Sequence, residues 1–186
     1  GNITGAYFAQ KMGSPIDHLV VANNANHPFV DYLNNGEFVP VDSVQTYSNA
    51  MDIGRPNNFF RIEHLFSGNV ERIREYFSGY CFTDKETIDA MGEVSQNFDY
   101  LMCPHTAVGY LGAKKYLEDC MSDADSEEES IIMVVVATAH PAKFVEVVEL
   151  AGLSVDVPES LAVALGKEKI VTKLDPSLEA LKQALL

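Results

Sequence analysis

An α/β fold, with a parallel-type sheet flanked by helices, is what this sequence predicts, and three observations carry it. Ile131 to Val136 is an unbroken apolar run, β-branched except for one Met. Bounded by loop residues, such a run reads as a strand buried on both faces, as in parallel sheets. The segment Thr138-Ala139-His140-Pro141-Ala142-Lys143-Phe144 follows directly, so a hydroxyl, an imidazole and a helix-starting Pro sit at the strand's carboxyl end, where α/β proteins place ligands. Elsewhere, helical patterns alternate with few strands.

The elements follow in order. Gly1-Asn2 reads as a helix N-terminus, with a first helix over Ile3 to Met12 stopped by Gly13. Pro15 leads into a short apolar strand, Leu19 to Ala22, and Asn23 to His27 is a polar loop. Phe29 to Leu33 is a helical turn ended by Asn34-Asn35-Gly36. Phe38 to Tyr47 is extended or irregular. Asn58 to Phe66 fits a helix with Phe59, Ile62 and Phe66 on one face. Val70 to Phe77 reads as a second helix and Asp84 to Asn97 as a third, with Asp84 as N-cap. Pro104 suits the first turn of a helix reaching Cys120. Pro141 to Leu150 is helical up to Gly152, and Pro158 to Leu165 up to Gly166. Ile170 to Leu174 is extended, and Pro176 to Leu186 is a last helix capped near Asp175.

Composition excludes several classes. Hydrophobic residues are 47% of the 186, which is a globular and not a disordered balance. No apolar run nears the roughly 20 residues needed to cross a bilayer, and no signal peptide opens the chain, so no membrane partner is expected. Lys and Arg number 13 against 27 Asp and Glu, a formal charge of −14 that argues against a nucleic-acid partner. Cys81, Cys103 and Cys120 lack metal-ligand spacing and read as reduced thiols of a cytoplasmic protein. Gly1 begins without a Met, as expected of a fragment or a processed product.

Few constellations carry chemistry by residue type alone. Gly1-Asn2 at a helix start offers free N–H groups and the positive dipole end, suited to a phosphate or to an ordinary cap. Ser48 to Phe60 concentrates amides and small polar groups, which suits a polar ligand or a loop in which Asn57 or Asn58 caps the next helix. No two of His18, His27, His64, His105 and His140 stand a helical turn apart, so no metal site is expected. The acidic stretch Asp119 to Glu129 reads as a cation or partner site or as a solvated loop.

The wording of several blocks resembles threonine synthase, a pyridoxal-phosphate (PLP) family of fold type II. Gly1-Asn2-Ile3-Thr4 resembles the end of the family's phosphate cup, and Ala25-Asn26 its following Asn-rich loop, although Ala22-Asn23-Asn24 stands where a Thr is usual. Ser48-Asn49-Ala50-Met51-Asp52-Ile53 with Pro56-Asn57-Asn58-Phe59 and Arg61 resembles the Met-Asp block. Pro104-His105-Thr106-Ala107-Val108-Gly109 and Thr138 to Phe144 complete the set, in the family's order. Threonine dehydratase and cysteine synthase lack this wording.

The resemblance implies that residues 1–186 form the C-terminal part of the family's large, PLP-binding domain. It implies conversion of O-phosphohomoserine and water to threonine and phosphate. Gly1 and Asn2 would hold the cofactor phosphate, Thr138 would meet the pyridine nitrogen, and Asn57, Asn58 and Arg61 would line the substrate side. His140 would orient its loop, and Lys143 would lie on a helix face. No residue here matches the family's Phe-Lys-Asp block, whose lysine forms the imine with PLP. The chain alone is therefore expected to be inactive, with an N-terminal half as its missing partner and self-association a further expectation. Cys103 stands where the family carries an acidic residue. A stand-alone binding or assembly module, or a relative of another fold type II lyase, remains open at this point.

Overall fold

The computed structural model describes residues 1–122 and 131–185. Most of the acidic stretch and the final Leu186 lie outside these residues. The chain divides into two compact units, one spanning Gly1–Val155 and one from Asp156 onward.

The first unit is built on a two-stranded parallel sheet, β1 (Leu19–Asn23) and β2 (Phe77–Cys81), with Leu19 opposite Phe77 and Asn23 opposite Cys81. Strand residues alternate between faces, which sorts the helices. Phe77 and Gly79 face the aromatic core made by α1 (Asn2–Lys11), α2 (Pro28–Asn35), α3 (Phe59–Leu65) and the short α4 (Val70–Arg74). There Tyr7, Phe66 and Phe77 pack ring on ring, and Phe59, Ile62 and Phe66 share the buried face expected of them.

The other face, carrying Val20, Ala22, Ser78 and Tyr80, receives α6 (Pro104–Ser122). This helix comes so close that a Cβ on Gly112 would lie 2.7 Å from that of Ala22. Tyr80 donates its hydroxyl to Asp119 at 2.8 Å, and the desolvated phenol's pKa is pushed far up. Beyond α6, α5 (Asp84–Phe98) and α7 (Val145–Leu150) close a second core of Met91, Val94, Met102, Ala107 and Val148. The second unit holds α8 (Glu159–Leu165) and α9 (Leu178–Leu185), both exposed.

Several expectations are corrected. Ile131 to Val136 forms no strand among the described residues. Ile132, Val134 and Val136 are 86%, 81% and 66% exposed, whereas Met133 and Val135 are half-buried. Only the face toward Gly109 of α6 is covered, since a buried strand needs neighbours on both sides. The helix expected over Val70 to Phe77 ends at Arg74, because Phe77 pairs into β2. The cap of α5 is Thr83 and not Asp84: Thr83 Oγ1 accepts the Glu86 N–H while Glu86 accepts the Thr83 N–H at 2.7 Å. Pro141 to Leu150 is a 3₁₀ turn, Pro141–Lys143, broken from α7 at Phe144. The last helix, α9, begins at Leu178 and not at Pro176, with Ser177 Oγ accepting the Ala180 N–H at 3.2 Å.

Candidate functional site

The chain leaves β1 at Asn23 and turns through Asn24 and Asn26, at the carboxyl edge of the parallel sheet. Both side chains are buried, which amides tolerate only when their donors and acceptors are met. The loop from Val44 to Asp52 meets them. Asn24 Nδ2 donates to Thr46 Oγ1 at 2.7 Å and to Ser48 Oγ at 2.9 Å, and its Oδ1 accepts the Asn26 N–H at 2.9 Å. Asn26 Nδ2 donates to Val44 O at 2.8 Å, and its Oδ1 accepts the Val44 N–H at 2.7 Å. At the centre lies Asp52. Its Oδ1 accepts from Asn24 (2.9 Å), Asn26 (3.1 Å) and Thr46 Oγ1 (2.7 Å), and its Oδ2 accepts the Thr46 N–H at 2.9 Å.

Gly54 closes this loop. A Cβ there would lie 2.4 Å from Val41 O, and the Val41 N–H donates to Gly54 O at 2.9 Å. The polar knot thus pins the Ser-to-Ile block against the end of β1. The sequence placed Asn26 and Asp52 in motifs but assigned them no role. The available signal was an Asp within a polar loop that also follows a run of three Asn among four residues.

The second tether comes from α6. His105 Nε2 accepts the Ala50 N–H at 3.1 Å, and its ring lies 4.7 Å from that of Phe144. A nitrogen that accepts leaves the proton on the other, so His105 carries it on Nδ1. That nitrogen is buried and has no hydrogen-bond partner among the described residues. It lies near Cys103, whose thiol is 1% exposed and 3.2 Å from Thr106 Oγ1. Burial pushes the thiol's pKa up, but the neighbouring His105 and Thr106 outweigh it and bring the value down to about 7. His140 Nδ1 accepts the Ala142 N–H at 3.1 Å and so orients its own loop, while Lys143 is exposed.

The residues expected to bind ligands stand as follows. Gly1 is the N-cap of α1 without a side-chain cap, Asn2 is exposed, and the first helical bond runs from Gly5 N–H to Gly1 O at 2.9 Å. The N–H groups of Asn2, Ile3 and Thr4 therefore lack backbone acceptors. Thr138 is exposed, with no hydrogen bond among the described residues. Asn57, Asn58 and Arg61 are exposed together at the first turn of α3, and Asn58 occupies the cap position without a side-chain cap bond. No hydrogen bond among the described residues joins these three groups. As a donor set they suit an anionic phosphate at α1 and a hydroxyl-seeking acceptor at Thr138.

Comparison with known proteins gives a consistent result. The family model described as threonine synthase, C-terminal, matches residues 106–185. Threonine synthase from Haemophilus influenzae is 38% identical over 162 residues, covering 87% of this chain and 35% of that protein. The Escherichia coli threonine synthase is 30% identical over 187 residues, covering 100% of the chain and 41% of its own length. The crystal structure of the Escherichia coli enzyme superposes with a TM-score of 0.82 at 28% identity, over 99% of this chain and 40% of the other. A PLP-bound threonine synthase from Brucella melitensis gives 0.80 at 27%, over 99% and 43%. The chain thus spans well under half the length of these relatives.

Proposed function

The chain belongs to the threonine synthase family and corresponds to its C-terminal portion, and on that premise we propose that it supplies part of the cofactor site and the substrate side of an enzyme converting O-phosphohomoserine and water to threonine and phosphate. PLP, when bound, supplies the electron sink for proton loss beside the substrate's amine-bearing carbon. Gly1 and Asn2 hold the cofactor phosphate through the unpaired N–H groups that open α1, where the helix dipole favours an anion. Thr138 gives its hydroxyl to the pyridine nitrogen, which leaves that nitrogen less charged than a carboxylate partner would. Arg61 suits the substrate's phosphate through its planar fork of donors, and Asn57 and Asn58 orient polar groups without adding charge.

The observation that carries this reading is the junction at His105. It draws the Ser48 to Phe59 block, the Pro104 to Gly109 block and the Thr138 to Phe144 block to one place. No lysine of this chain has the context of the family's cofactor lysine. The partner of the reaction is accordingly a lysine-bearing N-terminal portion, and the setting is the cytoplasm. No helix among the described residues is long and apolar enough to cross a membrane.

The test is to place this chain behind the N-terminal portion of the Haemophilus influenzae enzyme and follow phosphate release from O-phosphohomoserine. PLP-dependent release, cut about tenfold or more by Thr138→Val through loss of one buried hydrogen bond, is the expected result. A hybrid that folds and binds PLP but releases no phosphate would sink the reading.

A further inference from the structure

We propose that His105 is a proton-sensitive positioning residue: the neutral ring holds the 3₁₀ turn Asn49–Met51 through Ala50, and a ring that takes up a proton lets this turn go while the knot around Asp52 stays closed. This goes beyond the reaction proposed above and does not depend on it.

The bond to Ala50 is one that only a neutral imidazole can make. A backbone N–H donates and never accepts, so the ring nitrogen it meets must offer a lone pair. His105 Nε2 fills that role at 3.1 Å, which leaves the proton of the neutral ring on Nδ1. A second proton goes to Nε2 and sets two N–H donors against each other. No polar contact takes over from the other side. Nδ1 is buried with no hydrogen-bond partner among the described residues, and the ring's packing contact with Phe144, at 4.7 Å, does not hold Ala50.

The turn can be released without the loop around it. Asn49 and Ala50 are exposed, whereas Thr46 and Ser48 before them are buried. The Thr46 N–H donates to Asp52 Oδ2 at 2.9 Å and the Val44 N–H to Asn26 Oδ1 at 2.7 Å, bonds in which no imidazole takes part. Titratable groups stand on each element that meets the ring. They are Cys103 at the start of α6, Asp52 beyond the turn, and His140 and Lys143 in the segment that brings Phe144. Both Asp52 oxygens are engaged in the knot, His140 Nδ1 accepts the Ala142 N–H, Cys103 Sγ lies 3.2 Å from Thr106 Oγ1, and Lys143 is exposed. The protonation of His105 itself therefore decides the bond to Ala50.

A pH titration of the 186-residue chain, read through two signals, tests this. One is the nitrogen-15 shifts of the His105 ring. The other is the protection of the Ala50 amide, taken relative to intrinsic exchange at each pH. With the ring neutral, the Nδ1–H tautomer and a protected Ala50 are expected. Protection should fall about fivefold, the weight of one hydrogen bond, along the ring's own protonation curve. The Thr46 and Val44 amides should keep theirs over the same range. His105→Gln offers an acceptor that does not titrate, and Ala50 should stay protected throughout. His105→Phe keeps a ring against Phe144 without an acceptor, and Ala50 should be unprotected at every pH. A ring that served only as packing would make His105→Phe equal to the unmodified protein and leave Ala50 indifferent to pH; either result overturns the proposal. So does an Nε2–H tautomer in the neutral ring, or a ring that stays neutral until the whole chain unfolds. The unmodified protein decides even if a variant fails to fold.

Discussion

His105 Nε2 and the Ala50 N–H meet at 3.1 Å although 55 residues separate them. The same ring touches Phe144. One side chain at the start of α6 therefore ties the loop beyond β1 to the turn that follows the Ile131 to Val136 segment. The knot around Asp52 fixes the loop from its other side. The site is organised as a loop held between two clasps, one polar and saturated, one depending on a histidine tautomer.

The saturated clasp makes the first prediction. Asp52 accepts from four donors, so Asp52→Asn keeps the shape but turns an N–H₂ toward at least one of them. A buried donor left unpaired costs about 1–3 kcal/mol. Thermal unfolding should show a drop of several degrees, about 2–8 °C for a domain of this size. An unchanged melting temperature would mean that water reaches the knot and satisfies it.

Two glycines on helices should respond in opposite directions. Gly5 in α1 has nothing within 4 Å of a Cβ position, whereas at Gly112 that atom would meet Ala22 Cβ at 2.7 Å. Gly→Ala in an open helix position gains about 0.5–1 kcal/mol. At Gly112 the overlap is with a Cβ fixed to β1, so helix and strand must separate, at about 1–3 kcal/mol. Denaturant midpoints should therefore rise for Gly5→Ala and fall for Gly112→Ala. The same sign at both positions would refute the close approach of α6 to the sheet.

Which parts of this were legible in the sequence depends on how local their causes are. The helix at Pro104, the αL stop at Gly36 and the buried face of Phe59, Ile62 and Phe66 rest on nearby residues, and all were readable. β2 was not. Val70, Ile73 and Phe77 fit a helical period, and only pairing with β1 makes Phe77 a strand residue. Ile131 to Val136 has the β-branched side chains of a strand, yet strand pairing and burial depend on neighbours that composition cannot supply. For the candidate site, the resemblance located the blocks. Their junction at His105 and the saturation of Asp52 are contacts between distant segments, which no spacing encodes.

Stability should fall on mild acidification because of His18. Its ring stacks on Tyr116 at 5.1 Å, its Nε2 lies 2.9 Å from Ser78 Oγ, and burial lowers its pKa. The folded state keeps this ring neutral, while the unfolded chain takes up the proton near the ordinary value of about 6.5. The contribution is therefore complete above that pH and is lost as pH falls below it toward the folded value. Urea midpoints between about pH 7.5 and 5.5 should decline, and His18→Gln should flatten the decline. An equal slope in both proteins would remove His18 as the cause.

Mixing the chain with PLP and reducing with borohydride should leave no single, stoichiometrically modified lysine. None of its lysines has the family's context, and Lys143, beside the Thr138 turn, is exposed. Low modification spread over several surface lysines is the expected peptide map. One fully labelled lysine would show that this chain holds a cofactor-attaching residue of its own.

Self-association is the last prediction, and it follows from the open face of the segment over residues 131–136. Ile132, Val134 and Val136 point away from α6, and the backbone of this segment makes no hydrogen bond with the described residues. An extended apolar segment with free N–H and C=O groups pairs readily with another strand. The charge of −14 opposes the meeting of two copies, but repulsion between surface charges is screened within about 10 Å at moderate salt. Covering a few hundred Å² of apolar surface, at about 25 cal/mol per Å², outweighs that repulsion. Sedimentation should show a weight-average mass that rises with concentration and more steeply with added salt. Ile132→Lys with Val134→Lys places two cations on the open face without touching Met133 or Val135, and should return the protein to a monomer. A monomer at every concentration, with cooperative unfolding, would show that this face is stable in water and that the chain stands alone as a folded module.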